Sequence, residues 1–166
     1  MFERSKVKDI DVDGVTFYIR PMDPFEAVKL MGDLQKVISP IIGKVTEVFG
    51  ANKKDKDGKE EKKMNIEDLI NSDMDSANVG AIFNALADNI DGDKLQMFLK
   101  RILDSRYIAF KTYEMKDAQK LDTGIISEVF GGNLSGMYRL AWEVLLHNYG
   151  DFLSIFSSLS GLVKVQ

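Results

Sequence analysis

The chain has 166 residues, of which 45% are hydrophobic and 29% are charged, and its formal net charge is −4. This composition is typical of one soluble globular domain over residues 1–166 and excludes collagenous and disordered classes. Because no helix carries a basic stripe that could follow phosphates, nucleic acid is not expected as a partner. The absence of cysteine excludes disulfides and thiolate catalysis and suits a reducing cytoplasm. No apolar run is long enough for a membrane span or an export signal, so neither is expected.

The first predicted element is a β-hairpin within residues 1–22. Between Val7 and Arg20, apolar and polar residues alternate around Asp13-Gly14, a dipeptide that suits the positive φ angles of a type I′ turn. Pairing of Val12 with Val15 then separates the side chains into an apolar and a polar face. The apolar face consists of Ile10, Val12, Val15, Phe17 and Ile19, and the polar face of Asp9, Asp11, Thr16 and Tyr18.

A helix is predicted to begin at Asp23-Pro24, because aspartate caps helix N-termini and proline favours the first helical position. A second cap-and-proline signal, Ser39-Pro40, predicts either a kink or a second helix that continues to Phe49. Residues 50–64 are dominated by lysine, acidic residues and glycine, which predicts a mobile charged loop. The apolar residues of the first helix recur at helical spacing as Phe25, Val28, Met31, Leu34 and Ile38.

Three further helices are predicted over Ile66–Ile70, Ala77–Ile90 and Lys94–Leu103, with Asp91-Gly92 as the turn between the last two. In the third of these helices, the apolar residues fall on one side. That side carries Leu95, Phe98, Leu99 and Ile102.

The segment Arg106–Tyr113 is rich in aromatic and β-favouring residues, which predicts a strand that pairs with the hairpin, with a helix as the alternative. A short helix is predicted over Asp122–Phe130, ending at Gly131-Gly132, and the last helix begins near Asn133 or Leu134 within an aromatic region, residues 133–157. The expected fold class is therefore mainly α (α+β): a helical domain with an N-terminal β-hairpin and, at most, one further strand.

The C-terminal helix has an unusually wide apolar arc. From Met137 to Phe156, apolar residues cover roughly 240° of the helical wheel, too much for a helix that buries one side only. It is therefore either a central core element or one that offers a second apolar face to a partner. Asn148 falls inside this arc, where an unpaired amide is costly. We therefore predict that the helix ends there, with Gly150 beyond its C-terminus and Asp151 capping the next helix.

No catalytic residues and no cofactor are expected. His147 is the only histidine, and on the wheel it lies with Arg139 and Glu143 on the narrow polar face, which predicts an exposed surface residue. The glycine cluster of residues 131–136 lacks the spacing of a phosphate-binding loop and is interpreted as a helix-to-helix turn.

A calcium site is the lesser alternative for the hairpin turn. Asp9, Asp11, Asp13 and Gly14 match positions one, three, five and six of an EF-hand loop. Position twelve, however, is Arg20 instead of a bidentate glutamate, and the flanking residues alternate like strands. A β-turn explains the same residues, so Asp9, Asp11 and Asp13 stay weak metal candidates.

Three segments in the last quarter of the chain carry a family resemblance: Phe130-Gly131-Gly132-Asn133-Leu134, Met137-Tyr138-Arg139-Leu140-Ala141-Trp142 and Asn148-Tyr149-Gly150-Asp151-Phe152-Leu153. They resemble tail assembly chaperones of long-tailed phages. The resemblance implies a non-enzymatic protein of the host cytoplasm that coats the long, helical, hydrophobic tape measure protein and recruits major tail tube subunits. It also implies displacement before the virion matures, possible self-association, and, in many such genes, a longer frameshifted form.

Partner binding is assigned to apolar residues of the first and last helices. These residues are Phe25, Met31, Leu34, Ile38, Trp142, Tyr149, Phe152 and Phe156. The alternative functions are a small virion structural protein, such as a tail completion or connector subunit, and a calcium- or ligand-binding module. If the chain forms a homo-oligomer, pairing between hairpin edges is a physical route to it.

Overall fold

The computed structural model describes residues 7–38 and 76–163, with side chains at most positions up to 150. The predictions for Ser39–Phe49, residues 50–64 and Ile66–Ile70 lie outside these residues. Within them, the chain forms five helices and a four-stranded antiparallel sheet. In chain order the elements are β1 (Lys8–Val12), β2 (Val15–Ile19), α1 (Pro24–Ile38), α2 (Ser76–Asn89), α3 (Gly92–Ile102), β3 (Ile108–Lys111), β4 (Gln119–Lys120), α4 (Thr123–Val129) and α5 (Leu134–Val163).

The predicted hairpin is confirmed, including its register. Val12 lies opposite Val15 across the turn. Asp13 and Gly14 have φ angles of 52° and 85°, the two positive values that a type I′ turn requires. Phe17 and its neighbours on the predicted apolar face point into the core, whereas the acidic residues of β1 stay exposed.

The sheet extends the hairpin in the order β1-β2-β3-β4. Phe110 of β3 lies opposite Phe17 of β2, so the strand interpretation of Arg106–Tyr113 is confirmed over the helical one. Strand β4 was not predicted, because Gln119 and Lys120 are exposed polar residues without a β pattern. With four strands the fold is α+β, and its sheet is larger than the predicted hairpin with one further strand.

Aspartates cap three of the described helices, and the cap at Asp23 is the one that the sequence predicted. The Asp23 side chain accepts hydrogen bonds from the backbone N–H groups of Phe25 and Glu26 at 3.0 and 3.3 Å. Asp91 and Asp122 each accept one from the N–H three residues further on, at 2.8 and 2.9 Å. Each bond satisfies a donor that the first helical turn would otherwise leave unpaired.

Helix α5 is the central element of the core, which is the first of the two predicted roles for its wide apolar arc. It contacts α2, α3 and β1, and its residues Leu140, Ala141 and Val144 are fully buried. The ring of Tyr138 stacks on Phe83 of α2 with centroids 4.6 Å apart. Burial of this kind is the main source of stability in a domain of this size.

The predicted break of the last helix at Gly150 is wrong, because α5 continues from Leu134 to Val163. The amide of Asn148 is satisfied without a helix end. Its Oδ1 accepts a hydrogen bond from the Met22 N–H at 2.7 Å, and its Nδ2 donates to the Val144 carbonyl at 2.9 Å. Although α5 is long, no helix in the described ranges is long and apolar enough to cross a membrane.

Candidate partner-binding surface

Helix α1 has one face in the core and another in solvent. Leu30 is 2% exposed, whereas Phe25 and Val28 are 86% and 63% exposed. Met31 and Leu34 pack against the core. The predicted apolar series is therefore divided between two faces. The physical reason is that Phe25 and Leu34 are nine residues apart, which places them about 180° apart on a helix.

The solvent face of α1 forms a continuous surface that we call the α1 stripe. Its members are all exposed and lie within roughly 120° of the helical wheel. Two large apolar side chains occupy its N-terminal half, and its two lysines lie along one side of it. The stripe consists of Phe25, Val28, Lys29, Gly32, Gln35 and Lys36.

The two carboxylates of α1 lie beside the stripe and interact with arginines of the chain itself. Asp33 forms an ion pair with Arg101 of α3 at 2.9 Å, and this hydrogen bond lowers the pKa of the Asp33 carboxyl. Arg106 has a raised pKa, mainly through its hydrogen bond to Asp104, and the charge of Glu26 adds to the same shift. Asp33 is therefore paired within the protein, whereas the effect of Glu26 on Arg106 acts without an ion pair.

The lysines of the stripe are placed differently. Among the described residues, neither Lys29 nor Lys36 lies within salt-bridge distance of a carboxylate, although both lower the pKa of Asp33 from further away. The α1 stripe is consequently apolar with a positive border, and its charge is available to a negatively charged partner.

The predicted candidates on α5 belong largely to the core. Tyr149 is 6% exposed, and its Oη donates a hydrogen bond to the Ala27 carbonyl at 2.8 Å. Burial raises the pKa of Tyr149 to about 12, against a smaller opposing effect of Arg101. Trp142 is half-buried and packs against the core, and its Nε1 finds no acceptor among the described residues.

Three other predicted partner-binding residues, Ile38, Phe152 and Phe156, lie in α1 and α5, but their side chains are outside the described part of the chain. Phe25 is therefore the candidate that the described structure places in solvent. The exposed Val28 beside it was not proposed as a partner contact. Its exposure follows from its place on the same side of the helix as Phe25, a relationship that a helical wheel of α1 would have revealed.

The hairpin carboxylates that suggested calcium make contacts within the chain. Asp11 accepts a hydrogen bond from the Gly14 N–H at 3.1 Å, and Asp13 accepts one from Asn133 Nδ2 at 2.6 Å. Asp9 is exposed on β1. Within residues 7–38 and 76–163, no group of three or more histidines or acidic residues is arranged to hold a metal ion.

The glycine-rich connection between α4 and α5 is a helix-to-helix turn, as predicted. Gly132 has a φ of 79°, which disfavours any side chain. A Cβ on Gly131 would lie 2.9 Å from the Ser127 carbonyl oxygen. Asn133 caps α5 by accepting a hydrogen bond from the Gly136 N–H at 3.0 Å. The backbone conformation and close packing of this turn therefore explain both glycines. Asn133 also links the start of α5 to the turn of the hairpin through its hydrogen bond to Asp13.

The prediction that His147 is an exposed surface residue is wrong. It is partly buried, and its Nε2 has no contact with solvent. The polar side of α5 is partly covered because the helix lies centrally. On that side, Glu143 forms an ion pair with Lys8 of β1 at 2.6 Å.

Comparison with models of known protein families gives a match. The family model described as "Phage tail assembly chaperone protein, TAC" matches residues 13–161, a range that runs from the turn of the hairpin almost to the end of α5. No curated protein and no solved structure was found to match the chain significantly. The match covers most of the 166 residues and includes the segments that carry the resemblance. The chain therefore belongs to the phage tail assembly chaperone family.

Proposed function

We propose that this chaperone binds the tape measure protein in the host cytoplasm, keeps it soluble, and helps recruit major tail tube subunits during tail assembly. It acts by binding alone, without catalysis, and leaves before the virion is complete. The observation that carries this proposal is the family match over residues 13–161.

The proposal is supported by an exposed apolar surface on a helix that is packed against the core. A protein that keeps a hydrophobic client soluble needs exposed apolar side chains whose position is fixed. Phe25 and Val28 meet this need, because Leu30 anchors the opposite face of the same helix in the core. An exposed phenylalanine also supplies a large contact area with few rotatable bonds.

Co-expression with the tape measure protein of the same phage tests client binding. The tape measure protein is expected to stay in the soluble fraction and to co-purify with the chaperone. A tape measure protein that remains insoluble and unbound would contradict the proposal. Addition of tail tube subunits to the purified complex then tests recruitment, which is expected to need the chaperone.

Mass spectrometry of purified virions tests the proposed departure of the chaperone. Its peptides are expected to be absent from finished tails, while tape measure and tube peptides are present. Stoichiometric amounts in the particle would instead favour a tail completion or connector subunit.

A further inference from the structure

Gly32 is a glycine in the middle of α1 that the described structure does not require. Glycine is less favourable than alanine inside a helix because it loses more backbone entropy on folding. A Cβ on Gly32 would meet no atom of the described residues within 4 Å, so packing among these residues does not explain the missing side chain. Glycine does have a use where another backbone comes close to a helix. The position of Gly32 on the exposed face of α1 points to the close approach of a backbone from another molecule.

Gly32 shares its face with the two exposed apolar residues. Phe25, Val28 and Gly32 have the spacing i, i+3 and i+7, at which side chains line up along one side of a helix. Two large apolar contacts are thus followed, one turn later, by a position that allows a close backbone approach. This order suits a second helix that crosses α1 near Gly32, because the side chains at the crossing point set the distance between helix axes.

The two lysines of the stripe indicate which charge the partner helix should carry. Lys29 and Lys36 lie within the stripe, while Glu26 and Asp33 lie beside it, and Asp33 forms an ion pair with Arg101. Carboxylates on an incoming helix would meet two lysines that form no ion pair with a carboxylate of the described residues. From Phe25 to Lys36, α1 extends about 16 Å, so roughly three turns of a partner helix cover the stripe.

We propose that the α1 stripe is the client-binding surface of this chaperone and that its client segment is an amphipathic α-helix. The apolar side chains of that helix cover Phe25 and Val28, its backbone approaches Gly32, and its acidic side chains face the two lysines. This assignment rests on the proposed function and names the surface and the chemistry of the bound segment.

A second copy of the chain is the less suitable occupant. In a two-fold dimer the same patch lies on both sides of the interface. Where the two stripes run parallel, such a dimer would place Lys29 and Lys36 of one copy beside the same residues of the other, with no carboxylate of either stripe between them. Like charges at an interface disfavour association.

The first test compares two exposed aromatic residues in binding to the tape measure protein of the same phage. Phe25→Glu is expected to weaken binding roughly tenfold or more, as loss of a central aromatic contact does. Tyr113→Glu is the matched control, because Tyr113 is 90% exposed on the β3–β4 connection. It is expected to leave binding unchanged. Equal effects of the two variants would overturn the assignment.

The second test uses Gly32→Ala, whose effects on folding and binding have opposite signs. Alanine is expected to raise the melting temperature, because it favours the helix, and to weaken client binding roughly tenfold by blocking close approach. A misfolded variant cannot give both results. Gly80→Ala, on α2, adds a Cβ in equally open space and is expected to leave binding unchanged. Unaltered binding by the Gly32 variant would contradict the inference that the client backbone comes close to Gly32.

The third test concerns charge. The double variant Lys29→Glu/Lys36→Glu is expected to weaken binding and to remove most of its salt dependence. Lys116→Glu/Lys120→Glu changes the net charge equally at two exposed positions near β4 and is expected to have little effect. Equal losses from both pairs would indicate attraction by net charge alone and would overturn the assignment of the lysines.

Photocrosslinking identifies the occupant directly. With p-benzoylphenylalanine in place of Val28, crosslinks to a helical, acidic-bordered segment of the tape measure protein are expected. Crosslinks to a second copy of the chaperone would overturn the assignment.

The proposed function and the assignment of the binding surface can also fail separately. If the wild-type chain does not bind the tape measure protein, the proposed function is wrong. If wild type and Phe25→Glu bind it equally well, only the assignment of the α1 stripe as the binding surface is wrong.

Discussion

Asn148 on α5 accepts a hydrogen bond from the backbone N–H of Met22, 2.7 Å from its Oδ1, just before α1 begins. The next residue, Tyr149, donates a hydrogen bond to the Ala27 carbonyl in the first turns of α1. Two consecutive residues of the central helix therefore fix the start of the helix that carries the α1 stripe. Through them, the placement of Phe25 and Val28 depends on the core.

Replacement of Asn148 by leucine is expected to destabilise the protein by about 1–3 kcal/mol, because the buried Met22 N–H loses its acceptor. Chemical denaturation followed by far-ultraviolet circular dichroism measures the change. Asn84→Leu is the control, since Asn84 is exposed on α2, and its effect is expected to stay within about 0.5 kcal/mol. Similar losses for the two variants would show that the Met22 contact contributes little.

Tyr149→Phe removes only the hydroxyl that bonds to Ala27. The expected loss is about 0.5–1.5 kcal/mol of unfolding free energy at neutral pH, the usual net value of one hydrogen bond. Denaturant titration of both proteins measures it. Because the ring stays in place, the variant should keep the native circular dichroism spectrum, and a large loss of helix would contradict this account.

The same hydroxyl gives a prediction for alkaline pH. Burial raises the pKa of Tyr149 to about 12 from an ordinary value of 10.0. The folded pKa lies above the unfolded one, so this contribution to stability is complete below pH 10 and is lost as pH rises towards 12. Tyr149→Phe has no such group. The stability difference between the two proteins is therefore expected to shrink from about pH 10 upwards, and a constant difference would contradict burial of the phenol.

Local signals predicted much of this fold. Asp91 and Asp122 cap helices through neighbours three residues away, and Asp13-Gly14 sets its turn through its own φ angles. Each of these features depends on a short stretch of chain. Sequence reasoning could therefore locate most of the described helix starts and the register of the hairpin.

Contacts between distant residues account for the main errors. The break at Gly150 was predicted because Asn148 had no visible partner, and its acceptor role involves Met22, 126 positions away. The candidate surface was predicted only in part. Phe25 was named, but the apolar series that contained it spirals around α1, so that Leu34 packs in the core. Which side of α1 is buried depends on packing against the rest of the fold.

Gly132→Ala is expected to destabilise the protein by about 1–2 kcal/mol, because its φ of 79° places a Cβ too close to the following carbonyl. Gly80→Ala is the control within a helix and is expected to stabilise by up to about 1 kcal/mol. Thermal melting of the two variants should therefore shift in opposite directions. A shift of the same sign would contradict the positive φ at Gly132.

The ion pair between Lys8 and Glu143 links β1 to α5 across 2.6 Å, with side chains 36% and 23% exposed. Partial exposure lets water and salt screen the pair, so its coupling energy is expected to be about 0–1 kcal/mol. A double-mutant cycle with Lys8→Met and Glu143→Gln measures that coupling. It should fall further when the cycle is repeated in high salt. A coupling of several kcal/mol that salt leaves unchanged would mean that the pair is shielded from water and that β1 depends on it for its position against the central helix.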